Sequence, residues 1–112
     1  MQPLAASLIK ATKNNDVEAL RILAEDQALT GIDTREQTLL FYAVKSQSFR
    51  ALEFLLDANL SVNHTNYQYE TPLHVAARIG DLRSIQALLD AGADLRMSNA
   101  HKQTPLMLAA AK

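Results

Sequence analysis

Apolar residues recur along this chain at a helical step, and the same step returns three times. Val17, Leu20 and Leu23 are spaced three apart; so are Phe49, Leu52 and Leu55, and so are Leu82, Ile85 and Leu88. Residues at that spacing fall on one face of a helix, which predicts helices near 17–25, 49–57 and 82–90. Asp16, Ser48 and Asp81 directly precede these runs. Each has a side-chain oxygen that can accept a backbone N–H left free in a first helical turn.

The segments carrying these runs align without gaps. "ATKNNDVEALRILAEDQA" starts at residue 11, "AVKSQSFRALEFLLDANL" at 43 and "AARIGDLRSIQALLDAGA" at 76, so the offsets are 32 and 33. Thr38, Thr71 and Thr104 are also spaced by 33, and a fourth copy opens with "TPLMLAAAK" at 104–112. A shorter helix is predicted ahead of each long one. Thr71 can cap it and Pro72 can take its first position, where a missing N–H costs nothing. Thr104 and Pro105 repeat that pair, while Thr38 is expected to keep the cap but is followed by Leu39 in place of the proline. In the first copy, Pro3 is expected to open a longer helix near 3–13. Ala11, Ala43, Ala76, Ala77, Ala109 and Ala110 lie in these first helices and let neighbours approach closely.

A period of this length is the mark of a stacked repeat architecture. "TPLHVAARIGDLRSIQALLDAGAD" resembles an ankyrin repeat. The resemblance implies an all-α solenoid of helix–turn–helix units with projecting β-turn loops. It covers the chain as one domain, with repeats at approximately 1–32, 33–65 and 66–98 and a partial one at 99–112. It also implies that His74 is structural, its ring bonding backbone and tying neighbouring repeats. Phe41 and Met107 stand at the matching positions and cannot form those bonds. The family's glycines are largely replaced. Between the helices stand Asn15, Gln47 and Gly80; after the second helix Gln27, Asn59 and Gly92; in the projecting turn Glu36, Tyr69 and Lys102. A non-glycine residue in left-handed conformation costs roughly 1–2 kcal/mol, so these turns are where departure from the family geometry is expected.

Composition narrows the function classes. Of 112 residues 48% are apolar, and eleven basic against twelve acidic residues leave a net charge of −1. Neither net charge nor a basic run suggests nucleic acid. No cysteine is present, which excludes disulfides and cysteine-based metal sites. No apolar run approaches the length of about eighteen residues that spans a bilayer, and the N-terminus does not read as a secretory signal. The expected compartment is the cytoplasm. His64, His74 and His101 do not share a repeat position, and no phosphate loop or His-Glu helix motif occurs. The reading is therefore non-catalytic, with no metal or cofactor.

What remains is a binding surface. In the ankyrin family the projecting loops and the exposed side of the first helices form a concave face that binds proteins. Carried over by position, the contact sites are Lys13 and Asn14 in repeat one. Repeat two supplies Thr34, Arg35, Gln37, Lys45 and Ser46. Repeat three supplies Tyr67, Gln68, Tyr69, Glu70, Arg78 and Ile79, and the last turn Ala100, His101 and Gln103. Tyr67 and Tyr69 are candidate anchors, since tyrosine offers large contact area at low entropic cost. Lys13, Arg35, Lys45 and Arg78 outweigh Glu70, so a protein partner of some acidic character is expected. The first repeat is polar and reads as an N-terminal cap. Leu106, Leu108 and the outer side of the 82–90 helix are expected to be partly uncovered, because "TPLMLAAAK" stops where a second helix would begin. Either the natural chain continues past Lys112 or another chain covers this end. The alternative function is accordingly a structural unit that self-associates through it.

Overall fold

A computed structural model describes residues 3–111. The helices are α1 (Ala6–Lys13), α2 (Val17–Asp26), α3 (Leu39–Lys45), α4 (Phe49–Asp57), α5 (Pro72–Ile79), α6 (Leu82–Asp90) and α7 (Pro105–Ala110). They pair as α1 with α2, α3 with α4, and α5 with α6. Between repeats, α1, α3, α5 and α7 pack in succession as an inner row, and α2, α4 and α6 as an outer row. The molecule is accordingly elongated, 39 × 26 × 20 Å.

The second and third apolar columns supply the core, while Val17 and Phe49 are half-buried and Leu82 is exposed at its edge. Leu20, Leu52, Leu55 and Leu88 of the outer row are wholly buried, as are Leu39, Leu40, Phe41 and Val44 of α3. A single repeat has no partner for these faces. Stacking supplies one, so stability is shared along the array.

Capping follows the sequence in part. Asp16 accepts the N–H of Ala19 at 3.1 Å, and Asp81 caps α6 through the N–H of Ser84. Ser48 does not cap. Its hydroxyl donates instead to the carbonyl of Lys13 at 3.0 Å, tying repeat two to the end of α1. Thr71 accepts from the N–H of His74 and Thr104 from that of Met107. Thr38 makes no such bond, and its hydroxyl is buried without a partner. The helix expected from Pro3 begins only at Ala6. Pro3 instead lies in a short parallel bridge with Ile32, and the N–H of Leu4 donates to the Ile32 carbonyl at 2.9 Å. That bond holds the segment extended.

The turns keep a shared geometry despite the missing glycines. Asn15 and Gln47 take φ of 57° and 54°, in the left-handed region where Gly80 sits at 84°. Each chain reversal is closed by the same bond, from Asp16 to Ala11, Ser48 to Ala43 and Asp81 to Ala76, which satisfies a carbonyl at the helix end. Glu36, Tyr69 and Lys102 are left-handed too, at 61°, 60° and 61°. Gln27 is the exception, leaving α2 extended with φ of −132°.

Candidate functional site

The projecting turns are built on a column that the helical pattern does not reveal. Asp33, Asn66 and Asn99 recur at a spacing of 33. In each, one side-chain oxygen accepts two backbone N–H groups, two and four residues on. For Asp33 these come from Arg35 and Gln37, both at 2.8 Å. For Asn66 they come from Gln68 and Glu70, and for Asn99 from His101 and Gln103. The short polar side chain thus replaces the missing glycine as the organiser of the turn. The turns then join edge to edge. The N–H of Tyr67 donates to the Arg35 carbonyl at 3.0 Å, and that of Ala100 to the Gln68 carbonyl at 2.8 Å. A one-sided platform results, running along the inner row of helices.

On this platform Thr34, Arg35, Tyr67, Gln68, Tyr69, Ala100 and His101 are exposed, as are Lys13, Asn14, Lys45, Ser46 and Arg78 at the ends of the first helices. Tyr67 and Tyr69 remain 53% and 64% accessible. Ile79 and Gln103 are half-buried. Two expected contact residues are placed differently: Gln37 and Glu70 are only 3% and 5% accessible. Both follow an organising Asp or Asn by four residues, which turns them under the platform. There they lie beneath the turn tips, where Gln37 meets Lys45 and Glu70 meets Arg78.

Glu70 pairs with Arg78 and also accepts from Asn99 Nδ2 at 3.3 Å. At the same step of repeat two, Gln37 Oε1 accepts from Lys45 Nζ at 2.7 Å, while Gln37 Nε2 donates to Asp33 at 3.1 Å. The Tyr42 hydroxyl donates to the same Asp33 oxygen. Burial, the bond to Asp33 and its negative charge push the Tyr42 phenol up to about 12. Burial alone would raise the Asp33 carboxyl, but the hydrogen bonds from Tyr42, Gln37 and Arg35 outweigh it and hold the group below its ordinary 3.8. Burial, then the nearby positive charge of Arg35, lowers Lys45. Lys13, Asp33, Thr34, Arg35, Gln37, Tyr42, Lys45 and Ser46 together line a cleft of about 530 Å³.

The chain has no basic run, yet the fold creates one. Lys13, Lys45 and Arg78 end the three successive first helices, so one cation stands at the same step of each repeat. The histidines do not converge. His74 is wholly buried. Its Nε2 lies 3.0 Å from the Gln103 carbonyl of the next repeat, and because a carbonyl only accepts, Nε2 carries the proton. Nδ1 then accepts from the N–H of Thr71 at 3.1 Å. His64 instead reaches the Glu36 carbonyl at 2.8 Å. Among the described residues no three His, Cys, Asp or Glu side chains gather as a metal site, and no helix is long and apolar enough to cross a membrane.

Residues 40–89, from α3 through α6, match the family model of ankyrin repeats (many copies). This segment belongs to the ankyrin repeat family. Members of this family are in general protein–protein interaction modules, typically without catalytic activity. No curated protein matches the chain. The sequence pattern overlooked Asp33, Asn66 and Asn99, although their spacing was visible beside that of the threonines. Nor did it single out Tyr42, which lines the cleft and bonds Asp33.

Proposed function

We propose that this ankyrin-repeat chain is a non-catalytic module of the cytoplasm that binds a protein partner along its concave platform. The observation that carries the reading is the aligned row of Lys13, Lys45 and Arg78 beside turn tips bearing Arg35, Tyr67 and His101. Arg78 is paired with Glu70, but Lys13, Arg35 and Lys45 form no salt bridge among the described residues. A surface with these cations and exposed aromatic tips suits an extended partner segment with acidic side chains, because complementary potentials steer and register the encounter. The partner's contacts are then Lys13, Asn14, Thr34, Arg35, Lys45, Ser46, Tyr67, Gln68, Tyr69, Arg78, Ile79, Ala100, His101 and Gln103.

The test removes side chains at three turn tips, Arg35→Ala, Tyr67→Ala and His101→Ala together. Arg78 is left in place, because its loss would strand the buried Glu70 charge. Proteins captured from a lysate by the wild type and quantified by mass spectrometry should fall at least about tenfold with the triple variant, as expected for the loss of contact anchors. Equal capture, with circular dichroism unchanged, overturns the reading.

A second reading has its own observation. Leu82 of α6 is 78% accessible, and Leu106 and Met107 of α7 are 70% and 56% accessible, so the last two helices of the array carry the exposed apolar side chains that an interface between chains would need to cover. Self-association through this end requires a mass that rises with concentration in light scattering and stays monomeric in Leu82→Glu/Leu106→Glu. A concentration-independent monomer excludes it.

A further inference from the structure

Repeat three contains a control for repeat two. The positions of Asp33, Gln37 and Lys45 correspond, 33 residues on, to Asn66, Glu70 and Arg78. In repeat three the cation meets a carboxylate, since Glu70 is buried and pairs with Arg78. In repeat two the cation meets a neutral amide, the Oε1 of Gln37 at 2.7 Å.

Asp33 attracts Lys45 through space but makes no ion pair with it among the described residues. One of its oxygens accepts the Arg35 and Gln37 N–H groups, and the other accepts Gln37 Nε2 and the Tyr42 hydroxyl. A carboxylate has about four lone-pair sites, and these bonds occupy them. Lys13, Arg35 and Lys45 line the same cleft and, among the described residues, form no salt bridge. Thr34 and Ser46 add hydroxyls at its rim. Burial and then Arg35 lower the pKa of Lys45 against the attraction of Asp33 and Glu70, so burial and like charge outweigh the carboxylates nearby.

Resting on the protein-binding reading above, we propose that this cleft takes an anionic side chain, a carboxylate or a phosphate ester, from an extended peptide of the partner. The anion sits against Lys13, Arg35 and Lys45 and does for Lys45 what Glu70 does for Arg78. Charge-assisted hydrogen bonds of this kind are shorter and stronger than neutral ones, so the cleft fixes the register of the peptide on the platform.

The test titrates ¹⁵N-labelled protein with three end-capped peptides that share a Gly-Ser frame and carry a central run of Glu, of Gln or of phosphoserine. The expected result is saturable amide shifts at Thr34–Gln37 and Lys45–Ser46 with the Glu peptide and none with the Gln peptide. Asp33→Asn/Gln37→Glu leaves the net charge unchanged while copying the arrangement of repeat three. It should weaken Glu-peptide binding at least about tenfold, as should Lys45→Gln, whose exposed side chain makes it a safe second variant. A phosphoserine peptide bound more than about tenfold tighter than the Glu peptide supports the cleft with a phosphate ester as its anion. Equal binding supports it with a carboxylate as sufficient. Absence of shifts in these two segments, or binding unaffected by both variants, overturns it. Shifts confined to Tyr67, Arg78 and their neighbours would overturn the cleft while leaving the platform intact, whereas the triple turn-tip variant tests the platform itself.

Discussion

Repeats two and three share a backbone and differ in how they treat their polar groups. In repeat three the Thr71 hydroxyl meets His74 Nδ1 at 2.9 Å, His74 reaches Gln103, Gly80 takes the left-handed turn and Glu70 neutralises Arg78. In repeat two Phe41 replaces the histidine, and the Thr38 hydroxyl is left alone. Gln47 takes the left-handed turn, and Lys45 bonds a neutral Gln37. Repeat three pairs its polar groups, within itself and with Asn99 and Gln103 of the next repeat, and acts as the clamp of the array. Repeat two tolerates local costs and leaves positive charge facing the cleft. The cleft proposed above thus lies in the repeat that departs from its neighbour.

The largest expected effect is at the histidine. His74→Phe gives repeat three the residue that repeat two carries at that step. It removes the acceptor for the buried Thr71 N–H and the donor to Gln103, and orphaned buried groups cost about 1–3 kcal/mol each. Urea unfolding should show a loss of about 2–3 kcal/mol. The threonines sharpen the contrast. Thr71→Val should cost about 1 kcal/mol by removing a partnered cap. Thr38→Val should be neutral or slightly stabilising, because it removes a hydroxyl that is buried for nothing. Equal losses for the two valine variants would erase the proposed division between the repeats.

The turns give the next effect, with opposite signs expected at one position. Nothing lies within 4 Å of a Cβ built on Gly80, whose φ is +84°. Gly80→Ala therefore carries only the backbone penalty, about 1 kcal/mol. Gln47→Gly relieves that penalty in repeat two, so a gain of up to about 1 kcal/mol is expected, reduced by the greater freedom of glycine in the unfolded chain. A loss at Gln47→Gly would mean that its side chain supports the turn.

The helices and their apolar columns were legible because a period of 3.6 repeats faithfully through Leu20, Leu52 and Leu55. The caps were legible where one residue acts locally, as at Asp16, Thr71 and Asp81. Ser48 was misread because a carbonyl from the preceding repeat, at Lys13, competes for its hydroxyl. Pro3 was misread for a related reason: Ile32 offers Leu4 a hydrogen bond that the first helix cannot. At the site, the exposed turn tips followed from position alone. The burial of Gln37 and Glu70 did not, since it depends on how Asp33 and Asn66 curl each turn back under the platform. Nor did the ordering of the glycine-free turns, because the local cost at Glu36, Tyr69 and Lys102 is outweighed by bonds between successive turns. For Ser48, Pro3 and the turns the deciding partner lies about one repeat away in sequence, beyond the reach of local pattern. For Gln37 and Glu70 it lies four residues back, at a polar side chain whose role the helical pattern does not reveal.

The smallest effect isolates the bond that repeat three lacks altogether. Val75 stands where repeat two has Tyr42, so no phenol meets Asn66. The Tyr42 phenol is raised from 10.0 to about 12, first by burial and then by donation to Asp33. A phenol that holds its proton more tightly when folded favours the folded state while protonated. That contribution is fully present below the unfolded value of 10.0, and it is lost as pH rises toward about 12. Tyr42→Phe should therefore flatten the alkaline fall in stability over this window. Asp33 works in the opposite direction. Its carboxyl is lowered below 3.8, so its contribution is present above that value and disappears as pH falls further. The check is the phenolate absorbance of the wild type minus that of Tyr42→Phe, followed against pH. A midpoint well above 10 supports the Tyr42–Asp33 bond. A midpoint at the ordinary value would mean that Asp33 is not engaged by Tyr42 in solution, leaving it free to compete with an incoming anion for Lys45. The contrast between an open and a closed repeat would then be lost at the cleft on which it matters most.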